Sequence, residues 1–151
     1  MTFLNSEMKV IYILGLLTSL LVGQAATTSD FSKTCDEIKV GDEGSSVQAK
    51  CTTKTPMGSP WVCTKLDLNK CLGSESGRLV AKDGGDFTKM CDTCGESGPL
   101  VLGCQCWTGA YFPDGSLIYN YTEFKLDDVV GNEDGYLKCF DNVAPKATGC
   151  D

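Results

Sequence analysis

Ten cysteines carry the densest chemistry in this 151-residue sequence, at positions 35, 51, 63, 71, 91, 94, 104, 106, 139 and 150. Cys91-x-x-Cys94 followed by Cys104-x-Cys106 offers four thiolates, a set that could hold zinc in a reducing compartment. In an oxidising one, an even cysteine count favours five disulfides. A thioredoxin-type redox motif needs a βαβ setting, and none surrounds Cys91 and Cys94. Histidine is absent, which removes Ser-His-Asp and Cys-His relays, His-bearing zinc sites and an imidazole pH switch. Asp127 and Asp128 could form a glycosidase-like carboxylate pair, but at the end of an alternating run they read as a strand end and turn cap. No other motif assigns a catalytic residue, a metal or a cofactor, so the sequence reads as non-enzymatic. Asn120-Tyr121-Thr122 is an N-glycosylation sequon. Asn132-Glu133-Asp134-Gly135 clusters short amide and acid side chains at what reads as a tight turn.

The compartment follows from the first residues. Residues 10 to 22 form an apolar stretch, preceded by Lys9 and followed by Gly23-Gln24-Ala25-Ala26. This is the pattern of a secretory signal peptide, here residues 1–25, and it falls short of the roughly 20 residues of a membrane span. A secreted, extracellular chain is expected, which turns the cysteine reading toward disulfides. With 13 basic against 20 acidic residues and a net charge of −7, the chain lacks the clustered positive charge of a nucleic-acid surface. An apolar content of 42% with 17 glycines is that of a globular protein.

The elements that must position these groups come from an internal repeat. Asp30-Phe31-Ser32-Lys33-Thr34-Cys35 returns as Asp86-Phe87-Thr88-Lys89-Met90-Cys91. Each cysteine leads through a Gly/Ser-rich turn into an alternating strand, Val47-x-Ala49-x-Cys51 or Leu102-x-Cys104-x-Cys106. Leu66-Asp67-Leu68-Asn69 is answered by Phe124-Lys125-Leu126-Asp127. Leu72-Gly73 with Gly77-x-Leu79 is answered by Val130-Gly131 with Gly135-x-Leu137. Four landmarks in one order define two tandem repeats, 30–85 and 86–141, within a domain at 30–141, followed by an irregular tail at 142–151. Short alternating runs between turns specify an all-β fold. Helical structure is expected only as single turns, foremost at Leu68-Asn69-Lys70 and Leu126-Asp127-Asp128. A repeat of this size is marginal alone. Clips such as Cys35–Cys51 and Cys91–Cys106, or strand exchange between repeats, would compensate.

These residues resemble the cyanovirin-N homology family across 30 to about 140. The resemblance rests on Phe-Ser-x-Thr-Cys at 31–35, Leu-Asp-Leu-Asn at 66–69, Gly-x-Leu at 77–79 and Leu-Asp-Asp-Val-Val-Gly-Asn-Glu-Asp-Gly-Tyr-Leu at 126–137. It implies two pseudo-symmetric repeats, each a three-stranded sheet plus a β-hairpin with strands exchanged, and a lectin for high-mannose glycans with a shallow site at each end. By position, the first site comprises Asp30, Lys33, Thr34, Thr52, Lys54, Asn132, Glu133 and Asp134. Thr34, Asn132 and Asp134 keep the family's residue types, whereas Lys33, Thr52 and Lys54 do not. The second falls near Gly73, Ser74, Ser76, Asp86, Lys89, Met90, Trp107 and Thr108. There Ser76 replaces an acid and Met90 a threonine, so the first site is expected to be the active one. Trp107 is expected to pack under the longer segment between Cys106 and Phe124, a loop bearing Tyr111, Phe112, Tyr119 and Tyr121.

Cys94–Cys104 is the best extra bridge, inside the Cys91/Cys106 pair. Cys63, Cys71, Cys139 and Cys150 allow three pairings, of which Cys63–Cys71 with Cys139–Cys150 is the most local. Cys150 is the tail's only evident anchor. Expected partners are mannose-type oligosaccharides or glycoproteins; the alternative is a disulfide-rich interaction protein that binds a protein partner and has lost sugar binding. The Lys82-Asp83-Gly84-Gly85 hinge permits a monomer or a strand-swapped dimer.

Overall fold

The computed structural model describes residues 29–55 and 57–150. The expected signal peptide at 1–25 lies outside the described residues. In the first repeat β1 (Cys35–Val40), β2 (Ser46–Thr52) and β3 (Trp61–Asp67) form an antiparallel sheet, followed by the hairpin β4 (Leu72–Glu75) and β5 (Arg78–Ala81). The second repeats the plan with β6 (Cys91–Gly98), β7 (Val101–Tyr111) and β8 (Leu117–Lys125), then β9 (Gly131–Glu133) and β10 (Tyr136–Cys139). Among the described residues the only helical segments are single 3-10 turns, at Phe31–Lys33, Asp42–Gly44, Leu68–Lys70, Phe87–Lys89 and Leu126–Asp128. No described helix is long and apolar enough to cross a membrane.

Alternation explains the sheets. Along β2, Val47, Ala49 and Cys51 are buried while Ser46, Gln48, Lys50 and Thr52 are not, as a two-residue period requires. Leu102, Cys104 and Cys106 play the same part in β7. The hairpins turn on Ser76-Gly77 and Asp134-Gly135, all four with positive φ, the geometry of a type I′ connection. Gly135 is required twice over: its φ is +92°, and a Cβ there would meet Thr53 Cγ2 at 2.6 Å.

Each hairpin packs on the sheet of the other repeat, β5 on β7 and β8, β10 on β2 and β3. Matching threonines fasten the exchange. The Leu79 amide donates to Thr122 Oγ1 at 3.2 Å, and the Leu137 amide to Thr64 Oγ1 at 3.1 Å. Thr64 is fully buried, and its hydroxyl accepts a backbone donor that would otherwise be stranded between layers. Phe31 and Phe87, both fully buried, join one continuous core with Leu66, Leu68, Leu102, Leu126 and Leu137. Two small cores thus merge into one, which offsets the marginal size of each repeat.

All ten cysteines are bonded. Cys35–Cys51, Cys91–Cys106 and Cys94–Cys104 clip neighbouring strands. The remaining four correct the local pairing: the bonds are Cys63–Cys150 and Cys71–Cys139. Cys63 stands opposite Lys50 on the outer face of β3, whereas Cys71 is fully buried after its 3-10 turn. One lies on the outer face of the sheet and the other in the core, so nearness in sequence does not bring them together. With every sulfur in a disulfide, no thiolate is left to ligate a metal.

The tail is better anchored than a single bridge would make it. β11 (Asn142–Val143) pairs with β10, and Lys146 bridges to Thr64. Asn142 Nδ2 also donates to Lys70 O at 3.3 Å and to Asp83 Oδ1 at 2.7 Å, pinning the segment that joins the repeats. The aromatic segment is likewise no loose loop. It is the distal part of the β7–β8 hairpin, turning only at residues 112–116.

Candidate functional site

At the end of the first sheet, the β9–β10 turn reaches across to the 3-10 turn before β1 and to the residues after β2. Asn132 ties them together. Its Nδ2 donates to Thr34 Oγ1 and Thr52 O, both at 3.0 Å, and its Oδ1 accepts from the Gly135 amide at 2.8 Å. The Thr52 amide donates to Thr34 O at 2.9 Å, and its hydroxyl to the same oxygen at 3.2 Å. Asp134 closes the other side, accepting from the Lys54 amide at 2.7 Å and from Thr55 Oγ1 at 2.8 Å. The Thr55 hydroxyl, with the Lys54 amide behind it, holds the Asp134 carboxyl below its ordinary pKa.

Both Asn132 donors are used within the rim, and its Oδ1, which accepts one bond, keeps a second lone pair. The carboxylate of Asp134 keeps acceptor capacity on both oxygens. The Thr52 hydroxyl keeps its lone pairs, and Lys54 forms no ion pair among the described residues. Asp30 and Lys33 lie exposed at the rim, ion-paired at 2.8 Å. The Lys33 hydrogen bond lowers the Asp30 pKa, and the same bond raises that of Lys33. Vicinal sugar hydroxyls need acceptors and donors in this close alternation, on short stems fixed by turn backbone.

Two residues depart from the expected set. Glu133 alternates away from Asn132 along β9 and pairs with Lys138 at 3.0 Å, so its side chain does not join the pocket. Thr55 does join it and was not singled out in the sequence, although the polar run Thr52-Thr53-Lys54-Thr55 was the available signal. Asp127 is buried and accepts from the Ser32 amide at 3.1 Å and Ser32 Oγ at 2.6 Å. It therefore staples the two repeats and forms no carboxylate pair with the exposed Asp128.

The opposite end keeps the scaffold without the tips. Asp86 adopts the same left-handed backbone as Asp30, and its carboxylate pairs with Lys89. Ser74 stands where Asn132 does, and its Oγ is buried with no hydrogen-bond partner. Ser76 has the φ of Asp134, 50° in both, and carries a single hydroxyl where Asp134 carries a carboxylate. The Thr108 hydroxyl donates to Ile118 O at 3.0 Å and accepts from the Ala110 amide at 3.3 Å, so it serves the hairpin. Trp107 packs edge-on against Tyr111, centroids 5.6 Å apart, with Nε1 donating to Ala110 O at 3.0 Å.

A family model described as the CVNH domain, the cyanovirin-N homology domain, matches residues 31–138. The chain belongs to the CVNH family. That family is one of lectins, and its fold accounts for the exchanged hairpins. Among solved structures, microvirin in its mannobiose complex is 26% identical over 75% of this chain and 100% of that one, with a TM-score of 0.55. The CVNH protein of Gibberella zeae is 22% identical over 72% of this chain and 95% of that one, with a TM-score of 0.54. A MoCVNH3 variant in complex with (N-GlcNAc)4 is 16% identical over 74% of this chain and 97% of that one, with a TM-score of 0.57. No curated protein matches the sequence.

Proposed function

We infer that this CVNH protein is a secreted lectin that binds mannose-rich glycans through the pocket of Thr34, Thr52, Lys54, Asn132 and Asp134. The supporting observation is the Asn132 clasp. It joins the turn, β2 and the segment before β1 into one hydrogen-bonded rim while leaving Asp134 and Thr52 with unused acceptor capacity. Microvirin's complex with mannobiose supports the sugar class. The five disulfides support an oxidising compartment, and with it the reading of residues 1–25 as a signal peptide. The contact between Asn142 and Asp83 supports a monomer, since it pins the hinge that a swapped dimer must open. Asn120 is exposed on β8, so the sequon is accessible in the folded chain.

A second reading, capture of a protein partner, is favoured by Tyr111, Phe112, Leu117, Tyr119 and Tyr121, all exposed on one hairpin. A glycan array with the mature protein separates the two. The lectin reading expects mannose-terminated glycans to bind, and Asn132→Ala/Asp134→Ala to weaken them by about 100-fold. Unchanged binding by that variant would move the site elsewhere, and no glycan binding would favour the protein partner.

A further inference from the structure

We propose that the tail builds a second sugar subsite on the outer face of the first sheet, centred on Trp61, which lengthens the glycan footprint of the Asn132–Asp134 pocket. This rests on the lectin reading above. Residues 145–150 lie beyond the 31–138 match to the family model.

The wall is firmly held. Its backbone runs along the edge of β3, with the Lys65 amide donating to Pro145 O at 3.4 Å and the Ala147 amide to Cys63 O at 2.8 Å. It then crosses the outer face to the Cys63–Cys150 disulfide, where Gln48 Nε2 donates to Gly149 O at 2.9 Å. Between the wall and the strands lies a cleft of about 370 Å³, lined by Lys50, Ser59 and Trp61 on one side and Thr148, Gly149 and Cys150 on the other.

Trp61 is 40% exposed, a large indole left half open on an ordered strand. An aromatic face of this kind suits the apolar C–H face of a pyranose, and a few polar groups at the rim take its hydroxyls. Lys50 and the hydroxyls of Ser59 and Thr148 provide that rim.

Continuity with the first pocket decides the occupant. Thr52 is the cross-strand partner of Trp61, and paired residues of an antiparallel ladder share a face. Thr52 and Trp61 therefore lie side by side, about 4.8 Å apart across the ladder, and the Thr52 amide ties Thr34 to them through its 2.9 Å bond to Thr34 O. A glycan whose terminal residue is held by Asp134 and Thr52 places its next residues over Trp61. In the second repeat Tyr119 occupies the corresponding place opposite Trp107, and no tail residue lines the cleft there.

The sequence holds two tryptophans, so Trp107→Phe leaves Trp61 as the sole indole reporter. Mannobiose and a high-mannose oligosaccharide are titrated against this protein by fluorescence and by calorimetry. The oligosaccharide should shift Trp61 emission and bind more tightly than mannobiose, which leaves the emission unchanged. Trp61→Ala should remove about tenfold of the oligosaccharide's affinity while mannobiose binds as before; Trp61→Phe should restore most of the loss. An oligosaccharide-to-mannobiose ratio unchanged in Trp61→Ala overturns the subsite and leaves the pocket intact. Mannobiose binding that survives Asn132→Ala/Asp134→Ala, or its absence from the unmodified protein, overturns the pocket and the subsite together.

Discussion

The two ends of this molecule share a backbone and differ in a handful of side chains. Asp30 and Asp86 take the same left-handed turn, Phe31 and Phe87 are buried alike, and Thr64 and Thr122 accept from matching leucine amides. Even the staple between repeats is kept: Ser32 donates to Asp127 at one junction, and Thr88 Oγ1 donates to Asn69 Oδ1 at 2.8 Å at the other. The difference begins where side chains leave the scaffold. Asn132 spends both donors and one acceptor on the pocket, while Ser74 buries a hydroxyl that meets nothing. The fold thus supplies two equivalent frames that carry different side chains at their tips.

The largest effect should come from giving the bare end the tips of the other. Ser74→Asn/Ser76→Asp/Met90→Thr places an amide beside a new hydroxyl and the Trp107 strand, and an acid at the turn. Calorimetry with mannobiose should then move from one site per chain to two. A stoichiometry that stays at one, in a variant with unchanged circular dichroism, would show that Gly109 and Ala110 cannot replace Lys54 and Thr55 as partners for the acid.

Stability should separate the same regions. The Cys71–Cys139 bond spans 68 residues and joins the two repeats, so Cys71→Ser/Cys139→Ser should cost about 4 kcal/mol on chain-entropy grounds. Cys94–Cys104 spans only 10 residues within the second repeat, where the first carries Ile38 and Ala49 instead. Cys94→Ile/Cys104→Ala should cost about 3 kcal/mol or less, measured by denaturant unfolding. Smaller again is the contrast between the two clasps. Asn132→Ala strands acceptors and a turn amide and should cost about 1–3 kcal/mol, whereas Ser74→Ala removes an unpartnered hydroxyl and should be neutral or slightly stabilising. Equal losses at both positions would mean that the Ser74 hydroxyl has a partner in solution.

Much of this asymmetry was legible before any coordinates. The repeated Asp-Phe-x-Lys-x-Cys blocks and the alternating strands fix the sheets because periodicity is a local property. The single turns at Leu68 and Leu126 follow from the same pattern. What sequence could not provide was contact at a distance. Cys63 and Cys71 look like partners until β3 assigns one to the outer face and the core takes the other. Glu133 looks like a site residue until the pleat turns it toward Lys138. Thr55 and Trp61 went unmarked because their roles depend on the turn of the other repeat and on the tail, neither of which is near them in the chain.

The smallest effect is a pH dependence confined to one end. The Thr55 hydroxyl and the Lys54 amide lower the Asp134 pKa below its ordinary value, so folding and the closed pocket favour the carboxylate. A depressed acid contributes its stabilisation in full above the unfolded-state pKa and loses it as the pH falls through the folded-state one. Mannobiose affinity at the first pocket should therefore be flat from about pH 7 to 5 and decline only below the usual carboxylate range, near 4. Asp134→Asn keeps one acceptor oxygen and gives up the charge, so its affinity should be weaker at neutral pH and flatter in acid. A decline of the same steepness in Asp134→Asn would assign the titration to Asp30, whose Lys33 hydrogen bond lowers its pKa in the same direction. Ser76 offers nothing to titrate at the opposite turn, so acid sensitivity from that turn itself should appear only once Ser76→Asp has been introduced.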